Sequence, residues 1–124
     1  MSYRKEKKYR VTRSEFHELK NLWLNNGMMP LHSSRQVSSI YFDNNDYMMY
    51  HDSEEGILPR KKVRIRWYDD NLEFKLEEKF SSIEGRFKTV KRLASVNSFD
   101  AALKYTHIDQ LYGALLPSLQ VSYE

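Results

Sequence analysis

The sequence predicts an α+β fold, an antiparallel β-sheet with flanking helices, in a single domain that covers residues 1–124. Several segments alternate apolar and charged residues with the two-residue period of a β-strand, and runs rich in Asn, Asp and Gly separate them as turns. Other segments place their apolar residues at helical spacing. The chain has no cysteine, which excludes disulfides, thiolate metal sites and cysteine nucleophiles.

The N-terminal part predicts a strand over residues 4–11 followed by a helix. Thr12 and Glu15 form a capping-box pattern at the start of this helix, and Gly27 is suited to end it in the left-handed conformation. After it the pattern predicts, in order, a strand at 37–43, a short helix at 47–50, strands at 60–68, 73–80 and 86–92, a helix capped by Asn97 or Ser98, a short helix over 111–116 and a final strand at 119–123.

The segment at residues 60–68 divides into two chemically different faces when it is read as a strand. Its apolar face, which suits a core, consists of Val63, Ile65 and Trp67. Its opposite face consists of Lys62, Arg64, Arg66 and Tyr68. The three cations of this face lie about 7 Å apart, a spacing at which like charges repel unless something anionic lies between them. A solvated outer face is the other interpretation of such a strand.

The neighbouring segments also carry charged faces with a few carboxylates among the cations. Glu6, Lys8 and Arg10 share one face of the first segment, and Lys75, Glu77 and Lys79 share one face of residues 73–80. If the sheet curves so that these faces look inward, they form a cationic cavity whose carboxylates can hold a divalent metal, which suits a polyphosphate. Cross-strand salt bridges on an exposed face remain the alternative.

Other functional classes find little support in the sequence. The four histidines are scattered, and no GxxxxGK phosphate loop is present, so phosphate binding has to come from side-chain cations. Carboxylates among the cations disfavour a nucleic-acid groove. The N-terminus lacks the apolar run of a signal peptide, and no apolar stretch reaches transmembrane length, so we expect a cytoplasmic protein.

Five segments, at residues 3–9, 39–43, 60–68, 76–79 and 85–89, resemble in their order the motifs of the VTC domain. This domain is the polyphosphate-polymerase branch of the CYTH, or triphosphate tunnel metalloenzyme, superfamily. The resemblance implies an antiparallel β-tunnel whose inward cations bind tri- or polyphosphate. It also implies a divalent metal, Mn²⁺ or Mg²⁺, and transfer of the γ-phosphate of ATP to a growing polyphosphate chain.

The resemblance assigns roles to particular residues of this chain. The phosphate-binding cations it implies are Lys8, Arg64, Arg66, Lys79 and Lys88, and alternation adds Lys62 and Lys75. Arg64, Arg66 and Lys79 are the expected catalytic residues. Glu6 lies where the superfamily has its first-strand acidic residue, and Glu77 faces inward by alternation, so these two are the expected metal ligands.

Members of this family continue past the point where this sequence ends, so we expect a C-terminally truncated VTC-like domain that forms about half of a tunnel. Edge strands left open in this way favour self-association. The half-tunnel leaves three alternatives to a polymerase: a module that binds polyphosphate or nucleotide without turnover, a triphosphate hydrolase, and a small nucleic-acid-binding protein. ATP and inorganic polyphosphate are the expected partners, and no nucleic acid is expected.

Overall fold

A computed structural model describes residues 7–124 of the chain as one antiparallel sheet with short helices. The elements of this part of the chain are α1 (Arg13–Asn25), β1 (Val37–Asp43), α2 (Met48–Glu55), β2 (Arg60–Tyr68), β3 (Lys75–Ser82), β4 (Gly85–Arg92), α3 (Phe99–Leu103), β5 (His107–Asp109) and β6 (Gly113–Tyr123). None of these helices is long and apolar enough to cross a membrane.

The six strands lie in the order β4-β3-β2-β1-β6-β5 and form a curled half-barrel. This arrangement confirms the predicted α+β fold with an antiparallel half-barrel sheet. The turn that the sequence predicts between the strands at 60–68 and 73–80 joins β2 and β3 as an antiparallel hairpin, with Asp69 in the left-handed conformation (φ +51°). Alternation along each strand separates the two faces of the sheet, which we call the apolar face and the charged face.

The apolar face forms the hydrophobic core. Val63 and Ile65 of β2 are almost fully buried there, as their positions in the sequence predict. Phe74 packs against Trp67 with ring centroids 5.0 Å apart, and α3 and the loop before it cover this face. Burial of large apolar side chains supplies most of the free energy that stabilises such a sheet.

Helix α1 begins and ends as its sequence predicts. The Thr12 hydroxyl accepts a hydrogen bond from the backbone N–H of Glu15, and donates one to the Glu15 carboxylate. Gly27 has φ +95°, which lets the Met28 N–H reach the carbonyl of Trp23 at 2.9 Å. No residue of this helix is buried, so its apolar side chains remain largely exposed.

The predicted first strand at residues 4–11 is wrong over its described part. Residues 7–11 have no regular secondary structure and are exposed. The physical reason is composition, because Tyr9 and Val11 are the only large apolar side chains in these five residues and alternate with cations. The segment therefore has little apolar surface to bury against the sheet.

The predicted short helix over residues 111–116 is also wrong, because this region forms the turn and start of the β5–β6 hairpin. The Asp109 carboxylate accepts hydrogen bonds from the N–H groups of Leu111 and Tyr112, at 2.9 and 3.1 Å. Gly113 then takes φ +77°, a conformation that favours glycine and breaks a helix. In the strand, Leu115 is fully buried and its neighbour Leu116 is about half exposed, as alternation requires.

The half-barrel is open along both sides. Within residues 7–124, β4 pairs only with β3, and β5 covers only the first three residues of β6. Residues 116–123 of β6 pair with β1 on one side, and no described strand lies on their other side. The sheet therefore offers two edges to which further strands can be added.

We expect the Ile65→Ala substitution to lower the free energy of unfolding by about 2–5 kcal/mol, because it opens a cavity in the core. Ile83→Ala is the matched control: Ile83 lies in the β3–β4 turn and is 91% exposed, so its loss should change stability little. Urea titration of both variants measures the difference. Equal effects would contradict the assignment of the apolar face as the core.

Candidate functional site

The charged face is organised by an ion pair between Arg64 of β2 and Glu77 of β3, which lie directly opposite each other. The Arg64 Nε and Nη2 atoms donate to Glu77 Oε1 at 3.0 and 2.7 Å, and both side chains are more than nine-tenths buried. The Nη1 atom of Arg64 donates to the hydroxyl of Tyr41 on β1, at 3.1 Å. Lys88 of β4 places its Nζ atom 3.1 Å from the same Oε1. One polar cluster thus ties four adjacent strands together.

The pKa values of the central pair favour the charged forms. Burial by itself raises the pKa of Glu77, but the hydrogen bonds and charges of Arg64 and Lys88 outweigh it and hold this pKa below its ordinary value. Burial likewise opposes the charge on Arg64, yet hydrogen bonds to Glu77 and Tyr41 raise its pKa net. The pair therefore stays ionised at neutral pH.

Beside this pair lies a cavity of about 170 Å³ with a strongly cationic lining. Among the described residues that line it, the cations are Lys8, Arg60, Lys61, Lys62, Arg64, Lys79, Arg86 and Lys88. The one carboxylate in this described lining is Glu77, whose charge is already offset by Arg64 and Lys88. We call this space the cationic cavity.

Three lysines, Lys62, Lys79 and Lys88, form a row across the cationic cavity. Lys79 lies opposite Lys62 in the β2–β3 register and opposite Lys88 in the β3–β4 register. Partial burial, together with the charges of Arg64, Lys88 and Arg66, lowers the pKa of Lys79. Like charges placed directly across neighbouring strands destabilise a sheet, so this lysine row favours a bound anion.

The structure brings together six of the predicted site residues around the cationic cavity: Lys8, Lys62, Arg64, Glu77, Lys79 and Lys88. Arg66 and Lys75 lie on the same face but farther along it, outside the described lining. The Nε atom of Arg66 donates to the Ser39 hydroxyl at 3.2 Å, and its Nη2 to the Tyr123 hydroxyl at 3.4 Å. Glu6 lies outside the described residues. The roles of all these residues stay predictions.

Some residues of the described lining were missed by sequence reasoning, and three of them contribute polar groups to the charged face: Arg60, Arg86 and Tyr41. Arg60 and Arg86 share the charged face with Lys62 and Lys88 by simple alternation, so the two-residue period could have identified both. Tyr41 occupies the matching position of β1, opposite Arg64. Tyr41 reaches Arg64 only because β1 pairs with β2 in this register, and the sequence of one strand does not predict the register.

The described residues of the cationic cavity do not provide a fitting site for a protein-held divalent metal. Hard divalent cations need several oxygen ligands. Among the described lining residues one carboxylate is present, that of Glu77. Its Oε1 atom already forms ion pairs with Arg64 and Lys88. The predicted Mn²⁺ or Mg²⁺ therefore stays a prediction.

A different group of potential metal ligands, Glu78, His107 and Asp109, has its ligand atoms within 4.8 Å of one another. Glu78 pairs with Val63 in register, which puts it on the apolar face and away from the cationic cavity. The ammonium group of Lys61 already lies 2.6 Å from Asp109 Oδ1 and 3.8 Å from Glu78 Oε1. A metal ion there would have to displace this lysine.

Two comparisons with known proteins bear on this site. The profile of the protein family described as the VTC domain matches residues 3–114, which is most of the chain. A curated protein named vacuolar transporter chaperone complex subunit 4, from Trypanosoma cruzi (strain CL Brener), is 40% identical to the chain over 45 residues. That similarity covers 36% of this chain and 6% of the curated protein, so it spans only a small part of that relative.

We expect Glu77→Gln to lower the free energy of unfolding at neutral pH by roughly 3 kcal/mol, because it leaves the buried Arg64 charge without a counter-charge. The pKa of Glu77 is lower in the folded chain than its ordinary value. Its ionised form therefore stabilises the fold above that ordinary value, and this contribution is lost as the pH falls through the folded-state pKa. The acid limb of the stability profile should accordingly be shallower in the variant.

Urea titrations from pH 7 down to pH 3 measure both effects. Glu55→Gln is the matched control, because Glu55 is exposed at the end of α2 and its substitution makes the same change in charge. Wild-type stability in Glu77→Gln would mean that the Arg64–Glu77 pair does not organise the sheet.

Proposed function

Since this chain belongs to the VTC domain family, we propose that it binds a tri- or polyphosphate chain in the cationic cavity, as part of a phosphotransferase that extends polyphosphate from ATP. The observation that carries this proposal is the lysine row. Three ammonium groups directly across neighbouring strands repel one another, and a chain of phosphates offers several negative charges along one extended ligand.

The surroundings of the lysine row support a phosphate ligand over a single small anion. Arg60 and Arg86 extend the cationic lining beyond the lysines, and the fork of an arginine donates to two phosphate oxygens at once. Glu77 does not oppose an anion, because Arg64 and Lys88 already offset its charge. We therefore place consecutive phosphoryl groups along the lysine row.

In a transfer reaction the proposed work of these residues is positioning and charge stabilisation. Arg64 is fixed by Glu77 and Tyr41, and a preorganised cation costs no reorganisation when negative charge develops on the transferring phosphoryl group. Lys79 and Arg66 are the further cations proposed for this role. Phosphoryl transfer between ATP and a polyphosphate end requires no protein nucleophile. A divalent metal that arrives with the phosphates, and is not held by the described carboxylate of the cavity, would add charge neutralisation.

Binding without turnover is the second candidate function, and the open half-barrel favours it. The six strands within residues 7–124 border a phosphate chain on one side only, which suffices for binding, whereas catalysis of transfer is helped by enclosing the chain. Polyphosphate made from ATP would identify the polymerase, and orthophosphate released from tripolyphosphate would identify a hydrolase. Saturable binding with neither product would identify the binding module.

We also propose that the open edges are the surfaces through which the chain associates, either with a second copy or within a complex such as the one in the relative's name. Leu116 and Leu119 of β6 are about half exposed beside the unpaired side of that strand. An added strand there would satisfy the free backbone groups and cover these leucines. The cytoplasmic location stays a prediction.

We expect the double substitution Lys62→Ala/Lys79→Ala to weaken tripolyphosphate binding roughly 100-fold, because each lysine supplies a charge-assisted hydrogen bond. Both residues keep much of their surface accessible to solvent, although the surrounding side chains partly desolvate the Lys79 ammonium group, so the fold should persist. Arg64 is less suitable for this test, since its removal leaves Glu77 buried without its main partner. Isothermal titration calorimetry measures the change.

Lys91→Ala/Lys104→Ala is the matched control for this double variant. It removes the same charge from two exposed lysines, one on the opposite face of β4 and one at the end of α3, so binding should change little. Equal losses in the two double variants would show non-specific attraction to net charge and would contradict the cationic cavity as the binding site.

The lowered pKa of Lys79 predicts proton uptake on binding in alkaline solution. In the free chain, burial and neighbouring cations disfavour the charged ammonium, whereas a bound phosphate chain favours it and raises the pKa. Calorimetry at one alkaline pH in two buffers of different ionisation enthalpy should therefore show net uptake of protons, and Lys79→Gln should remove it. Uptake that persists unchanged in Lys79→Gln would place the phosphate elsewhere.

A further inference from the structure

A second cavity, of about 460 Å³, lies where α2 packs beside the strands β1, β2 and β6. Its walls include the half-exposed rings of Tyr47 and Tyr50 and the side chain of Leu119, with Ser53 and Glu54 as polar groups. We call this space the tyrosine groove. Its size and its mixture of aromatic walls with a few polar groups are typical of small-molecule sites.

The tyrosine groove adjoins the cationic cavity, because Tyr41 and Lys62 line both. Lys62 stands at one end of the lysine row, and the hydroxyl of Tyr41 accepts a hydrogen bond from Arg64. From these shared side chains we infer that a ligand anchored on the lysine row extends past Lys62 into the groove.

The electrostatic character changes between the two spaces. Among the described residues that line the groove, Lys62 is the one cation, and Asp43 and Glu54 are carboxylates. The buried Asp43 carboxylate already accepts hydrogen bonds from the backbone N–H groups of Met49 and Tyr50, at 3.0 and 3.1 Å. A phosphate chain suits the cationic cavity, whereas an uncharged aromatic group with hydroxyls suits the groove.

The wall of the groove is held in place before any ligand binds. The hydrogen bonds from Met49 and Tyr50 to Asp43 fix the first turn of α2 to the end of β1. At the other side of the helix, the Tyr112 hydroxyl donates to the Asp52 carboxylate at 2.8 Å. A preformed wall lowers the entropic cost of binding.

We propose that the tyrosine groove binds the nucleoside of a nucleoside triphosphate whose phosphates occupy the cationic cavity. Tyr50 and Tyr47 offer ring faces for stacking of the base. The oxygens of Glu54 and Ser53 accept hydrogen bonds from ribose hydroxyls. This inference rests on the proposed phosphate site and names where the nucleoside of the proposed nucleotide would lie.

The test compares ATP with tripolyphosphate, which has the phosphates but no nucleoside, by calorimetry under one buffer condition. Loss of a stacking ring in Tyr50→Ala should weaken ATP binding roughly tenfold and change tripolyphosphate binding by less than about twofold. Tyr50→Phe keeps the ring and should retain ATP affinity. Met48→Ala, an exposed position of the same helix outside the described lining, should alter neither ligand.

The two proposals fail in distinguishable ways. If the wild-type chain binds no tripolyphosphate, the phosphate site is absent and both proposals fall. If wild-type binds tripolyphosphate but Tyr50→Ala leaves ATP affinity unchanged, or weakens both ligands equally, the phosphate site stands and the groove does not hold the nucleoside. If Tyr50→Ala loses affinity for ATP alone, and Tyr50→Phe retains that affinity, the result supports the tyrosine groove as the nucleoside site.

Discussion

The buried ion pair between Arg64 and Glu77 is the interaction on which the charged face depends. Removing two charges from water is costly. The cost is offset here because Glu77 also forms an ion pair with Lys88, and Arg64 also donates a hydrogen bond to the Tyr41 hydroxyl. These four residues come from four adjacent strands. The same contacts that align the strands therefore neutralise the one carboxylate among the described residues that line the cationic cavity.

That neutralisation leaves the rest of the cavity with a large excess of positive charge. Lys62 and Lys79 lie opposite each other in register, and the lowered pKa of Lys79 reports burial and the charges around it. An arrangement that is unfavourable in the free chain becomes favourable around a polyanion. Stability of the empty sheet and affinity for phosphate are thus opposed, which is common where function requires a strained or charged site.

Alternation predicted the strand at residues 60–68, its two faces and the shared side of most site residues. It could do so because burial of one face requires apolar residues at every second position of the strand. It did not predict that Arg64 and Glu77 pair, since register depends on the length and geometry of the intervening turn. Glu77 was accordingly expected as a metal ligand and is found in an ion pair. Leu111, Leu115 and Leu116 have helical spacing, but the turn at Asp109 and the positive φ of Gly113 start a strand there instead.

The most direct test of a phosphate chain on the lysine row is acetylation footprinting of lysines by mass spectrometry, with and without tripolyphosphate. The ligand should protect Lys62, Lys79 and Lys88 while Lys91 and Lys104, which face away from the cavity, react as before. If all lysines are protected equally, or if Lys62 and Lys79 are not protected, the result would contradict a phosphate-binding site on the charged face.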